Sequence, residues 1–302
     1  MEKNGSAGGK SMRGARMHMP RWEHSWEDSE VIRWCRKEAA GGNADAELLL
    51  VLMERYGSGD VKDSREAEEL LTKAAEQGSA VAEAALGEMF DSSEDYAKAA
   101  EWYRKAAEHG IPAAETCMGD LCLEGHGVSQ DYAEALRWYQ KAADQGDADA
   151  LFFLGVLYSK GGNGIPKDTN KSTDYFQKAA DLGSSDGLVG LGCLSYRGYG
   201  VGKDIRTAAD YFLRAAEAGN PDGMYYYALI LYDGLGIGQD YRLAAEWFEK
   251  AAEAGNVDAM RKLARMFERG WGVDRDPEEA KKWNNRASRA ENTPAEQREP
   301  AG

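Results

Sequence analysis

The side chains best suited to ligating a metal or attacking a carbonyl carbon are few: four histidines, His18, His24, His109 and His126, and four cysteines, Cys35, Cys117, Cys122 and Cys193. A zinc site needs three or four such ligands at short, characteristic spacings, and no histidine here stands at such a spacing from a cysteine or carboxylate. Cys117 and Cys122 are five apart on one predicted helix, about 140° around its axis at ~100° per residue, and so are poorly placed to bridge each other. The glycine loops, such as EGHGV and RGYGV, lack the Lys-Ser/Thr and the preceding strand of a phosphate cradle. A nucleophile elbow is absent too. No catalytic set, metal site or cofactor site is read from the sequence, and the chain is expected not to be an enzyme.

One acidic residue does recur at a fixed place: Asp63, Asp95, Asp131, Asp168, Asp204, Asp240 and Asp276. Each precedes an apolar-periodic run, as an N-cap that accepts hydrogen bonds from otherwise orphaned backbone N–H groups does. Glu66, Glu134 and Glu279 stand where a capping box would place them, and Pro277 takes a first helical position. Seven equivalent copies fit architecture rather than chemistry.

What places these aspartates is an internal repeat. The strings KAAEQG, KAAEHG, KAADQG, KAADLG, RAAEAG and KAAEAG end at Gly78, Gly110, Gly146, Gly183, Gly219 and Gly255, at intervals of 32, 36, 37, 36 and 36. The period extends back to Gly42 and forward to Ala287, so the repeats span residues 27–290. Each unit reads as two helices. The first carries a small residue, a large apolar one four later and a second small one, as in Ala114, Met118 and Gly119 or Ala150, Leu154 and Gly155. Glycine costs about 1 kcal/mol against alanine inside a helix, so its return there predicts close helix–helix approach. The second helix carries a ring pair, such as Trp102–Tyr103, Trp138–Tyr139, Tyr175–Phe176, Tyr211–Phe212 and Trp247–Phe248, then Ala–Ala and a C-capping Gly. The rings are read as core.

Composition narrows the partners. A net charge of −15 with no Lys/Arg cluster argues against a nucleic acid or an anionic membrane, which require clustered positive charge. No run of about 18 apolar residues exists to span a bilayer, and the N-terminus has Lys3, Lys10, Arg13 and Arg16 but no apolar h-region. With cysteine sparse and no disulfide framework, a cytoplasmic location is expected.

The composite pattern resembles the Sel-one-like repeat family, a branch of the tetratricopeptide-like superfamily. Unit three carries it in full: Ala114, Met118–Gly119, Gly125-His126-Gly127-Val128, Asp131, Ala135, Trp138–Tyr139 and Lys141–Ala142–Ala143. The resemblance implies an all-α, right-handed α/α superhelical solenoid, here of seven two-helix repeats with a preceding capping helix, and a role as a protein-interaction scaffold. Two departures matter. In unit two only Asp91, Ser92, Ser93 and Glu94 separate Phe90 from Asp95, a turn four residues tighter than the glycine loops. The paired cysteines of relatives that handle β-lactams are missing, which sets the rival reading, a β-lactam hydrolase, well behind.

Residues 27–40 match a lone second helix, and Asn284 stands where inner units have a ring, as a terminal repeat requires. Segments 1–26 and 291–302 are polar and expected to be disordered. Three sites on the first helix, spaced i, i+4, i+7, vary while the scaffold repeats. Unit three holds Thr116, Asp120 and Leu123 there; unit four Phe152, Val156 and Ser159; unit five Val189, Cys193 and Tyr196; unit six Tyr225, Leu229 and Tyr232; unit seven Arg261, Arg265 and Glu268. By the resemblance, first helices line a concave groove. Phe152, Val156, Val189, Tyr196, Tyr225, Leu229 and Tyr232 are thus the expected contacts for a protein or peptide, as an apolar, tyrosine-bearing patch in solvent. Packing between first helices is the alternative for the same residues. The loop ridge Tyr199, Leu235 and Trp271 is read as packing. The oligomeric state is left open.

Overall fold

A computed structural model describes residues 30–42, 45–46, 61–199 and 203–292. They form fourteen helices. A leading helix α1 (Glu30–Ala40) is followed by α2 (Val61–Glu76), the second helix of unit one. Units two to four are α3 (Ala80–Ser92) with α4 (Tyr96–Glu108), α5 (Pro112–Glu124) with α6 (Tyr132–Asp144), and α7 (Ala148–Lys160) with α8 (Thr169–Asp181). Units five to seven are α9 (Ser185–Arg197) with α10 (Ile205–Glu217), α11 (Pro221–Asp233) with α12 (Tyr241–Glu253), and α13 (Val257–Arg269) with α14 (Pro277–Asn292). Among the described residues there is no strand, only an isolated bridge between Gly162 and Ile165. Residues 1–26 and 293–302 of the expected terminal segments lie outside the described residues, and α14 runs to Asn292, past the expected end of the repeats.

The helices fall into two compact units, with the division between Leu194 and Ser195, inside α9. In the N-terminal unit each helix from α2 to α8 packs on the next, and in the C-terminal unit each from α10 to α14 does. The leading helix α1 rests against both α3 and α5, two first helices; the first helix of unit one, beside which a lone second helix would stand, lies largely outside the described residues.

Within a pair, the close approach expected from glycine is present. A Cβ added to Gly87, Gly119 or Gly155 would lie 2.4, 2.6 or 2.6 Å from the ring of Tyr103, Tyr139 or Phe176. The second ring in these three units therefore sits against bare backbone, and Tyr103, Tyr139, Phe176, Phe212 and Phe248 are all at most 1% exposed. Burying such a side chain contributes about 1.5–3 kcal/mol. The first ring of the pair lies further out, covered by the Lys of the KAA string: Lys105, Lys141 and Lys250 place Nζ 3.8, 4.1 and 4.1 Å from the ring centres of Trp102, Trp138 and Trp247. At the chain's end Asn284 is exposed, as expected.

Six of the seven repeated aspartates cap their helices. Asp95, Asp131, Asp168, Asp204, Asp240 and Asp276 each accept from a backbone N–H in the first turn. Asp63 does not stand at a cap, because α2 already begins at Val61. The capping boxes expected of Glu134 and Glu279 are not made. The N–H that such a glutamate would accept is already committed: Asp131 donates to the carbonyl of Cys122 and Asp276 to that of Phe267. Every cap residue from Asp95 onward makes this bond to the end of its own first helix, so one residue both starts a helix and closes the loop before it. Glu134 turns instead to Arg104 and Trp138, and Glu279 to Lys282.

The closing glycines take the left-handed conformation, with φ between +82° and +92° from Gly78 to Gly255, and the next N–H reaches back to an Ala carbonyl of the second helix. That next residue also caps the following first helix, through Ser79, Asp147, Ser184, Asn220 and Asn256.

Asp131→Ala is expected to cost about 0.5–2 kcal/mol, the usual worth of an N-cap. The loss should be local in a repeat array, so hydrogen exchange should rise across residues 112–146; exchange unchanged there would contradict the capping role.

Candidate functional site

First helices in the N-terminal unit are enclosed on nearly every side: α5 is buried from Ala113 to Leu123 and α7 from Ala150 to Leu157. A helix that is apolar all round belongs inside a protein. The apolar part of the expected stripe follows suit. Phe152, Val156, Val189 and Leu229 are 6, 1, 7 and 0% exposed, so the expectation that Phe152, Val189 and Leu229 stand in solvent is corrected. Phe152 is held between the rings of Phe153 and Phe176, at 5.5 and 5.7 Å between centres. The stripe stays open at its tyrosines, Tyr196, Tyr225 and Tyr232, which are half-buried. It is also divided between the units, with Phe152, Val156 and Val189 in the N-terminal one and Tyr196, Tyr225, Leu229 and Tyr232 in the C-terminal one.

In the C-terminal unit Tyr225 and Tyr232 belong to an aromatic face. Tyr225 lies 5.8 Å from Phe248, and Tyr232 lies 5.2 Å from Tyr241 and 5.9 Å from Trp271. Trp271 stacks on Tyr241 and remains 36% exposed. Of the loop ridge, Tyr199 is exposed and Leu235 half-buried. The rim carries both signs of charge: Lys262 sits over the Tyr232 ring at 5.4 Å. Burial lowers the Lys262 amine and raises the Asp233 carboxyl, each opposed by the other's charge. Burial, with Asp258, Asp222 and Asp233 nearby, raises the Tyr225 phenol well above its ordinary value. Amphipathic rings with a mixed rim offer an apolar body and hydrogen-bonding tips.

In the N-terminal unit the same register holds Ala84, Glu88 and Asp91 on α3 and Thr116, Asp120 and Leu123 on α5. The hydroxyl of Tyr103 donates to Glu88 Oε2 at 3.0 Å, and that of Tyr139 donates to Asp120 Oδ1. The repeat itself supplies the control. Where the second ring is Phe176, Phe212 or Phe248, the matching stripe residue is Val156, Cys193 or Leu229. An acid on the stripe goes with a tyrosine in the core, and an apolar residue with a phenylalanine. That pairing is legible in the sequence, yet a search of the stripe for apolar character passes over Glu88 and Asp91. A second polar tie follows the same division: Glu83 binds His109 Nδ1 and Glu115 binds Gln145 Nε2, both at 2.7 Å.

Burial raises the Asp91 carboxyl to about 6, with His126 opposing and Glu124 adding to the rise. Burial also lifts Asp120 well above the carboxylate range; the Tyr139 hydrogen bond opposes this, while Glu124, Asp91 and Asp149 add to it. The Cys122 thiol is pushed up to about 11 by burial, which leaves it a poor nucleophile at neutral pH. Cys117, Cys122 and Cys193 are buried thiols rather than disulfides. Among the described residues no group of three His, Cys, Asp or Glu can hold a metal ion, and no helix is long and apolar enough to cross a membrane.

A carboxyl whose folded pKa is raised stabilises the fold below its unfolded value near 4, and that contribution is lost as pH rises through about 6. Asp91→Asn is therefore expected to stabilise the chain by about 1 kcal/mol at pH 7.5, after allowance for solvent screening, and by almost nothing at pH 4. Thermal melts of both proteins across that range test this; a difference independent of pH would refute it.

Comparison with known proteins bears on the whole chain. A model of the Sel1 repeat matches residues 45–79, 80–111, 112–147, 148–184, 185–220, 221–256 and 257–292. Among solved structures, a Sel1 repeat protein from Oxalobacter formigenes is similar at 31% identity and a TM-score of 0.72, over 80% of this chain and 99% of that one. A protective antigen of uropathogenic Escherichia coli strains, which displays an SLR fold, is 31% identical with a TM-score of 0.64; the match covers 85% of this chain and 56% of that longer one. An immunity protein from Pseudomonas aeruginosa, 22% identical with a TM-score of 0.50 over 65% of this chain and 74% of that one, shares the fold. No curated protein matches.

Proposed function

Since this chain belongs to the Sel1 repeat family, whose members are generally protein-interaction scaffolds, we propose that it binds a peptide or a partner protein along the groove lined by its first helices. The observation that carries this reading is the half-buried tyrosine face of the C-terminal unit, Tyr196, Tyr225 and Tyr232, with Trp271 open beside it. Tyrosine and tryptophan are enriched where binding energy concentrates, and rings left partly open on a stripe otherwise free to vary ask for a covering surface. Leu229, wholly buried, belongs to the packing of the C-terminal unit, and Phe152, Val156 and Val189 to that of the N-terminal unit. The partner is a protein rather than a nucleic acid, because the chain's charge of −15 repels phosphate. Buried cysteines that form no disulfide, Cys117, Cys122 and Cys193, fit a cytoplasmic location.

The test is capture of partners from native cells, their identification by mass spectrometry, and rebinding of the purified partner to variants. Tyr225→Ala combined with Tyr232→Ala should weaken rebinding about tenfold or more. Because both rings also brace Phe248 and Trp271, the double variant will melt lower than the parent. Asp168→Ala, which removes a cap of the same kind on α8 in the N-terminal unit and touches no residue of the face, is the matched control and should bind normally. Equal binding by the double variant and the control would move the site off this face.

The scaffold reading goes with an absence of catalysis, since Sel1 repeat proteins are typically non-catalytic scaffolds. The chain is expected to leave a chromogenic β-lactam intact beyond the buffer rate, since no activated nucleophile is found among the described residues, where burial raises the Cys122 thiol. Turnover that survives further purification and vanishes with one point substitution would overturn that.

A further inference from the structure

The tight turn of unit two has a consequence for the acids around it. With only Asp91, Ser92, Ser93 and Glu94 between Phe90 and the cap Asp95, the end of α3 carries no glycine loop of its own. Asp91 instead feels the groups that end unit three's first helix, Glu124 and His126. Both Asp91 and Glu124 lie in the last turn of a helix, where the unsatisfied carbonyls add roughly half a negative charge. Carboxylates are disfavoured at that end and cations favoured. Asp120 lies one turn further in and is 9% exposed. Its Oδ1 accepts from Tyr139, whereas its Oδ2 is buried without a hydrogen-bond partner. A buried acceptor left unmet is unusual enough to require a reason.

The basic groups nearby do not meet it. Among the groups acting most strongly on Asp91 and Asp120, His126 is the one base. His126 is exposed, its Nδ1 lies 3.1 Å from Glu124, and its ring stacks on Tyr96. Helix α1 rests on α3 and α5, yet its Arg36 and Lys37 are exposed and not among those groups. A metal ion is not the answer, since no three ligands converge among the described residues.

We propose that this corner of the N-terminal unit is the seat for an arginine side chain of a partner protein, entering between Asp91 and Glu124 and donating to Asp120 Oδ2. The seat rests on the scaffold reading and adds the chemistry of what is bound. Asp91, half-buried, and Glu124, exposed, form the rim, and Asp120 forms the floor. Rotation of the two rim side chains admits the guanidinium. Arginine suits the seat because its planar fork serves two carboxylates at once and is less hydrated than an ammonium, so entering a buried corner costs it less. The overall charge of −15 draws such a partner in. The tyrosine–acid pairing then has a purpose: the hydroxyl holds one oxygen of the Asp120 acid in place, and the arriving guanidinium ionises the group and takes the other.

The probe is a fluorescein-labelled octapeptide of alternating arginine and leucine, with a counterpart in which citrulline replaces each arginine, read by fluorescence anisotropy on the full chain. The arginine peptide should bind, and the citrulline peptide should bind about tenfold more weakly or worse, as should the arginine peptide on Asp120→Asn. Asp210→Asn removes the same unit of charge from an exposed position on α10 and should bind as the parent does. Asp91→Asn, a rim position, should also weaken binding and reads the seat independently if Asp120→Asn does not fold. Equal binding of the two peptides, equal effects of Asp120→Asn and Asp210→Asn, or full binding by both seat variants would overturn the proposal. The peptide does not need the C-terminal tyrosines. Failure here therefore removes the arginine seat alone, whereas normal rebinding by the Tyr225→Ala, Tyr232→Ala chain removes the tyrosine face alone.

Discussion

The contact on which the helix pairs of units two to four depend is a ring against bare backbone. Gly87 faces Tyr103, Gly119 faces Tyr139 and Gly155 faces Phe176, and none of these positions has room for even a methyl group. The helical cost of glycine, about 1 kcal/mol against alanine, is outweighed by complete burial of an aromatic ring at the seam. The second ring of each pair is thereby fixed inside and the first outside. The same seam turns the stripe of the first helix toward the tip of the buried ring, so the ring's chemistry decides what the stripe can carry.

That dependence divides an otherwise uniform repeat. A phenylalanine tip is satisfied by Val156 or Leu229, whereas a tyrosine tip needs an acceptor and finds Glu88 or Asp120. One oxygen atom on the ring therefore converts an apolar position into an acidic one without disturbing the frame. The N-terminal unit gains a cluster of carboxylates at the ends of α3 and α5, and the C-terminal unit an aromatic face around Tyr225, Tyr232 and Trp271. These differ in chemistry while sharing one scaffold, as expected where stability comes from repeated neighbours and specificity from what varies among them.

Economy of hydrogen bonding explains where local sequence rules succeed and fail. The Asp caps from unit two onward, and the glycines that end the second helices, follow from local rules because their partners lie within a few residues. The capping boxes fail because a competitor arrives from farther away: the Asp N–H has already closed the preceding loop onto the first helix, as Asp131 does on Cys122. A motif three residues long carries no information about that carbonyl.

The sequence alone determined the period, the two helices of each unit, the inward ring, the glycine seam and the caps, because each is set by contacts that recur every 32 to 37 residues. It did not determine exposure. Phe152, Val156, Val189 and Leu229 occupy a face that the helical wheel leaves open, but packing of neighbouring helices closes it, and only the tyrosines keep part of their rings in solvent. Nor did it reveal that Asp91 would lie near His126 and Glu124, 35 and 33 residues further along, or that one oxygen of Asp120 would be left without a partner. Those facts depend on how one unit's turn meets the next unit's loop. Burial is a property of all the neighbours at once, and only the tertiary structure brings them together.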